Sequence, residues 1–127
     1  MKNYILLFIG VITFCSCSDN VDMQETDLKK HPWLTSFLIS EIKNFEGTHN
    51  IDIGTMQFSY AIPIKSKDGI LINIDSVAKN ENWSLISSSV IGREYSKTLK
   101  QFQADTEQTF VKIEIDTIEN RIRFSVK

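Results

Sequence analysis

Residues 111–127 read VKIEIDTIENRIRFSVK. Val111, Ile113 and Ile115 alternate with Lys112, Glu114 and Asp116. After a polar break, Ile122, Phe124 and Val126 alternate with Arg121, Arg123, Ser125 and Lys127. A period of two sends successive side chains to opposite faces of a strand, so the two runs make a β-hairpin with one apolar and one charged face. Such a face stays in water only when the sheet is antiparallel and covered on one side. A two-residue turn at Glu119-Asn120 sets Ile115 against Phe124 and Asp116 against Arg123. Asn120 tolerates positive φ and Glu119 does not, which leaves a longer, bulged loop as the alternative.

Upstream, the layer that covers this sheet is written in helical periods. Ile70, Leu71, Ile74, Val77 and Ala78 form an apolar stripe over 69–81, with Asp68 ahead of it as an N-cap. His31-Pro32 opens a second helix over about 32–45: Pro32 suits a first turn, Leu34, Phe37, Leu38, Ile42 and Phe45 recur at helical spacing, and Gly47 suits a C-cap. Between the helices, Met56, Phe58 and Tyr60 alternate in a strand over about 55–62, ended by Pro63 and Lys67-Asp68-Gly69. Trp83–Ser88 and Arg93–Lys100 are two more strands, joined near Ile91-Gly92, and Gln101–Gln108 is a polar loop. The fold class is therefore α+β: a mostly antiparallel sheet of about four to five strands, two helices packed on one face, and a C-terminal hairpin.

The other end of the chain gives an address. Lys2 precedes an apolar run from Tyr4 to Phe14 of about 11 residues, well short of the roughly 20 that span a bilayer as a helix. A charge, a short apolar core and small residues after it make an export signal. Phe14-Cys15-Ser16-Cys17 closes the run, and Ser18-Asp19-Asn20 follows. In these features the chain resembles the exported lipoproteins of Bacteroidota, with FCSC in the place of the lipobox and a short Ser/Asp tract after it. The resemblance covers the leader and its flank and names no family for the domain. It implies cleavage before Cys17, lipidation of Cys17 (diacylglycerol and palmitate-type chains) and localisation to the cell envelope, on the outer membrane and its surface. Phe14 departs from the usual Leu, and the tract holds one acid, Asp19. The alternative is a plain secreted chain. The division that follows is 1–16 signal peptide, 17–30 lipidated cysteine and flexible tether, and 31–127 a single domain.

Removing residues 1–16 from 127 leaves 111 residues, with 13 basic and 16 acidic side chains because Lys2 is the one charge removed. Nucleic acid needs a basic face, so it is not an expected partner. Cys15 leaves with the signal and Cys17 carries lipid, so no disulfide is expected and stability must come from core burial. Trp33 and Trp83 stand at element starts beside apolar stripes, where core packing is favoured over sugar stacking.

Chemistry is sparse. His31 and His49 have no cysteine beside them, and His49 with Asp52 falls short of a zinc set. Ser84, Ser87, Ser88 and Ser89 lack a G-x-S-x-G elbow. No catalytic residue, metal or cofactor is expected. Asp75-Ser76-Val77 and Asp116-Thr117-Ile118 resemble the Asp-Ser/Thr-apolar pattern at which exported Bacteroidota proteins are O-glycosylated, with Thr117 at the hairpin tip the better acceptor than Ser76. Asn82-Trp83-Ser84 fits the eukaryotic N-glycan pattern, which a bacterial leader makes irrelevant. The expected function is a non-enzymatic, lipid-anchored binding or accessory domain with a protein partner. The alternatives are an immunity-type or inhibitor lipoprotein that neutralises an envelope toxin or hydrolase, and a small carboxylate-dependent hydrolase.

Overall fold

The computed structural model describes residues 20–38, 41–50, 53–63, 67–100 and 106–127. Among them, β1 (Asn20–Asp22), β2 (Lys43–Asn50), β3 (Thr55–Ala61), β4 (Ser84–Ser88), β5 (Gly92–Lys100), β6 (Thr106–Asp116) and β7 (Arg121–Val126) form one sheet in the order β1-β2-β3-β7-β6-β5-β4. Every neighbouring pair is antiparallel. A 3-10 helix (Glu25–Lys30), α1 (Pro32–Thr35) and α2 (Lys67–Asn80) complete the fold. The α+β class and the antiparallel sheet are as expected. The described strands number seven rather than four or five, and the helices three rather than two.

The hairpin of β6 and β7 is the centre of the sheet. Val111, Ile113, Ile115, Ile122, Phe124 and Val126 are buried, while Lys112 and Arg123 are exposed. The register differs from the two-residue turn by two positions: Ile115 pairs with Ile122, Ile113 with Phe124, and Asp116 with Arg121. Thr117–Asn120 form a four-residue turn because the Asp116 carboxylate accepts the backbone N–H groups of Ile118 and Glu119, both at 3.0 Å. Asn120 takes the positive φ of 55° that closes it. A slip of two keeps every side chain on its own face, so the buried and wet sets are unchanged. Asp116 still reaches Arg123, now diagonally, at 3.1 Å.

Helix α2 lays Ile70, Leu71, Ile74 and Ala78 into the core, with Val77 packed at the margin. Asp68 lies in its first turn rather than at the cap, since the helix begins at Lys67. Its end is a Schellman motif. Asn82 adopts φ 64°, the Trp83 N–H donates back to the Ala78 carbonyl at 2.8 Å, and the Asn82 N–H donates to Lys79 at 3.3 Å. That reversal aims the chain from the helix straight into β4.

The N-terminal third overturns two expectations. The helix expected over 32–45 ends at Thr35, and Lys43–Asn50 is strand. Phe45 stacks on Phe58 of β3 at 5.8 Å, and Gly47 is a strand residue rather than a cap. A Cβ on Gly47 would stand 2.8 Å from the Phe58 Cβ and 3.2 Å from the Met23 Cβ. The glycine leaves room first for Phe58 of the paired strand and then for a second segment that crosses over it. That segment is the stretch expected to be a flexible tether over 17–30: from Asn20 it is a folded arm. Val21 pairs with His49, the Met23 N–H donates to the Gly47 carbonyl at 2.8 Å, and Met23 and Leu28 are buried. The Asp27 carboxylate accepts the Gln24 N–H at 2.9 Å and fixes the start of the 3-10 helix. Residues 20–30 are therefore packed with the rest of the fold rather than lying outside it, and among the described residues the buried side chains run from Met23 to Val126. The polar loop expected over Gln101–Gln108 is strand from Thr106 onward; Gln101–Asp105 lie outside the described residues.

Candidate functional site at the β4 end of the sheet

Helix α2 does not reach the β4 edge, and the uncovered strip between them is a groove of about 570 Å³. Its construction follows from two periodicities. On β5, Arg93, Tyr95 and Lys97 pair with Ile113, Val111 and Thr109 across the ladder, which places all three on the helix-covered side. On α2, Asp75 follows the buried Ile74 and stands at the margin of the apolar stripe. The two elements meet through these polar margins. Arg93 Nε donates to Asp75 Oδ1 at 2.9 Å, and the Tyr95 hydroxyl donates to the same oxygen. The Arg93 Nη1 also donates to the carbonyls of Ser89 at 2.7 Å and Gly92 at 2.8 Å, so one side chain ties the helix to the β4–β5 turn.

Burial pushes the Tyr95 hydroxyl above its usual range, and the Asp75 carboxylate that accepts its hydrogen bond adds to the shift. Tyr95 therefore remains a donor throughout the neutral range, and Asp75 has Arg93 and Tyr95 as fixed partners. The cluster ties α2 to β5 and to the β4–β5 turn. At the other end of the groove, Trp83 is buried against Phe37 at 5.4 Å and Trp33 at 5.9 Å. Its indole Nε1 has no hydrogen-bond partner among the described residues. Lys97 stands 5.6 Å from the ring centroid and donates to the Glu81 carbonyl at 2.6 Å, an arrangement that combines cation–π attraction with a helix C-terminus.

The outer margin is β4 itself. All five of its residues are exposed, Leu85 at 57 % and Ile86 at 49 %. Val90 and Ile91 in the following turn add to the apolar strip. A bulge between Leu85 and Ser87 leaves Ile86 without a partner on β5.

The residues singled out from sequence fall apart in space. Cys17 and Asp52 lie outside the described residues. Thr117 is exposed in the β6–β7 turn and Ser76 on the outer side of α2. His31 is half-buried with its ring edge-on to Trp33 at 5.7 Å; burial first, then the charges of His49 and Lys30, lower its pKa. His49 lies on β2, and no cluster of three metal-ligating side chains occurs among the described residues. Ser87 donates to Glu94 at 3.4 Å, Ser89 accepts the Ile91 N–H, and neither histidine lines the groove. Asp75, Arg93 and Tyr95 were not distinguishable in the sequence, because eighteen and twenty residues separate Asp75 from its partners. No helix among the described residues is long and apolar enough to cross a membrane. Comparison of the chain with protein-family models, with curated proteins and with solved structures gave no match in any of the three.

Proposed function

We propose that this chain is an exported, lipid-anchored envelope domain that acts by binding a protein partner through the β4 end of its sheet. It performs no catalysis in this reading. The observation that carries the binding half is the exposed, uncharged β4 strip beside a groove whose Asp75, Arg93 and Tyr95 already hold one another in place. The leader carries the other half: Lys2, the short apolar run and Ser16-Cys17.

Anchor and sheet together set an orientation. Cys17 precedes the first residue of β1 by three positions, a reach of about 10 Å at most. The β1 edge therefore lies against the membrane, and the folded arm is no spacer. Six strand spacings of about 4.8 Å separate β1 from β4, so the β4 groove faces outward by roughly 29 Å. Thr117, exposed at the hairpin tip, is the favoured O-glycan acceptor, and Ser76 the lesser one.

The anchor is tested by metabolic labelling with palmitate and membrane fractionation. Cys17→Ala is expected to lose both label and membrane attachment, and Cys15→Ala to keep both. Label retained on the Cys17→Ala chain would refute the lipid attachment.

A further inference from the structure

We propose that β4 is a docking edge, at which an extended segment of a partner protein adds as a further strand and sets one carboxylate against Lys79. This deepens the binding reading above and is independent of the lipid anchor. Sheet edges present a row of unpaired N–H and C=O groups, and proteins ordinarily blunt them with charge, proline, short length or a covering element. From Ser84 to Gly92 there is no charged residue and no proline. Among the described residues β4 has a neighbour on one side only. The bulge at Ile86 is the one protective device present. The opposite edge, β1, is three residues long and contains Asp22.

Strand addition supplies backbone hydrogen bonds for affinity and pockets for alternate side chains. Both halves are here. The Ser89 N–H donates inward to the Gly92 carbonyl, so by alternation the Ser88 N–H points outward, toward an incoming strand. Alternate side chains of that strand fall over the groove, where Leu85 and Trp83 offer apolar contact.

Charge selects the occupant. Arg93 in the groove is paired with its one acid, Asp75, at 2.9 Å, which leaves Lys79 as the cation open to an incoming strand, although the chain as a whole carries a net charge of −2. Lys79 has no ion-pair partner among the described residues. A second copy, paired edge to edge about a two-fold axis, would bring a groove whose one acid, Asp75, is already paired with Arg93 and so offers Lys79 no free carboxylate. An acidic, β-rich segment of another protein meets Lys79 with the opposite charge.

The test uses residues 18–127, which contain every buried side chain among the described residues, and a displayed library of random peptides about twelve residues long. Selection is expected to enrich alternating β-branched or aromatic residues with an Asp or Glu. A synthetic peptide of the enriched sequence should slow hydrogen exchange at the Ser88 amide. N-methylation of its alternate amides, or Ser88→Pro in the protein, should weaken binding about tenfold by removing edge hydrogen bonds. Lys79→Glu should weaken it by a smaller factor. The N-methyl peptide is read on the unaltered protein, so a Ser88→Pro chain that fails to fold leaves the test intact.

Three results overturn the proposal: no enrichment, equal binding by the N-methylated peptide, or a peptide-free dimer that dissociates on Ser88→Pro. The last assigns the edge to a second copy. Palmitate on Cys17 with no peptide bound would sink strand addition and leave the address standing.

Discussion

Asp75 takes two donors, and what it does for the protein is decided by burial. Its loss would leave the buried Tyr95 hydroxyl without its acceptor, a penalty of about 1–3 kcal/mol for a buried polar group, and Arg93 Nε without one while Nη1 keeps the Ser89 and Gly92 carbonyls. The pH dependence has a definite sign. Tyr95 holds its proton in the folded state above the ordinary phenol value of 10.0, whereas the unfolded chain releases it there. Above about pH 10 the unfolded state binds fewer protons than the native state, so the stability this site contributes is present below pH 10 and is lost as pH rises. Denaturant midpoints measured from pH 8 to 11 should fall for the wild-type protein, and Tyr95→Phe should fall less steeply. Equal slopes would mean that Tyr95 is not shifted. None of this was visible in sequence, because Asp75, Arg93 and Tyr95 look like ordinary margin residues of a helix and a strand. Only packing α2 across β5 makes one site of them.

At the scale of elements, legibility followed the length of an uninterrupted period. The β6–β7 hairpin and α2 carry long, consistent patterns, and both appear where their patterns stand. The region 32–45 carries a mixture. Leu34, Phe37 and Leu38 have helical spacing and lie in or next to α1, but Phe45 belongs to an alternation with Gly47 and His49 that makes sense only opposite β3. Strand β1 has almost no local signal: Val21 between the polar Asn20 and Asp22 becomes a strand because β2 is beside it. The arm that carries these residues matters to the fold. Met23 and Leu28 each remove an apolar side chain from water, worth about 1.5–3 kcal/mol apiece. A chain starting at residue 31 should therefore lose about 3–6 kcal/mol, a large share of the 5–15 kcal/mol typical of a small domain. Urea unfolding of residues 31–127 against 18–127 measures it. Equal stability would return the arm to the role of a tether.

For the whole molecule, strand order would give the proposed anchor an orientation. One edge of the sheet begins three residues after Cys17, and the other carries the exposed strip and the basic groove. If the proposed lipid holds the chain at Cys17, the β4 edge is the one farther from the membrane. The most direct measurement is depth relative to the bilayer. In the proposed mature form, acylated at Cys17 and without Cys15, a cysteine introduced at Val21 on β1 or at Val90 after β4 would be the only thiol to label. The lipidated chain, placed in vesicles with a spin label on the lipid headgroups, should show strong fluorescence quenching of the probe at position 21 and little at position 90. Equal quenching at both positions, or the reverse order, would contradict an envelope domain that hangs by β1 and binds by β4.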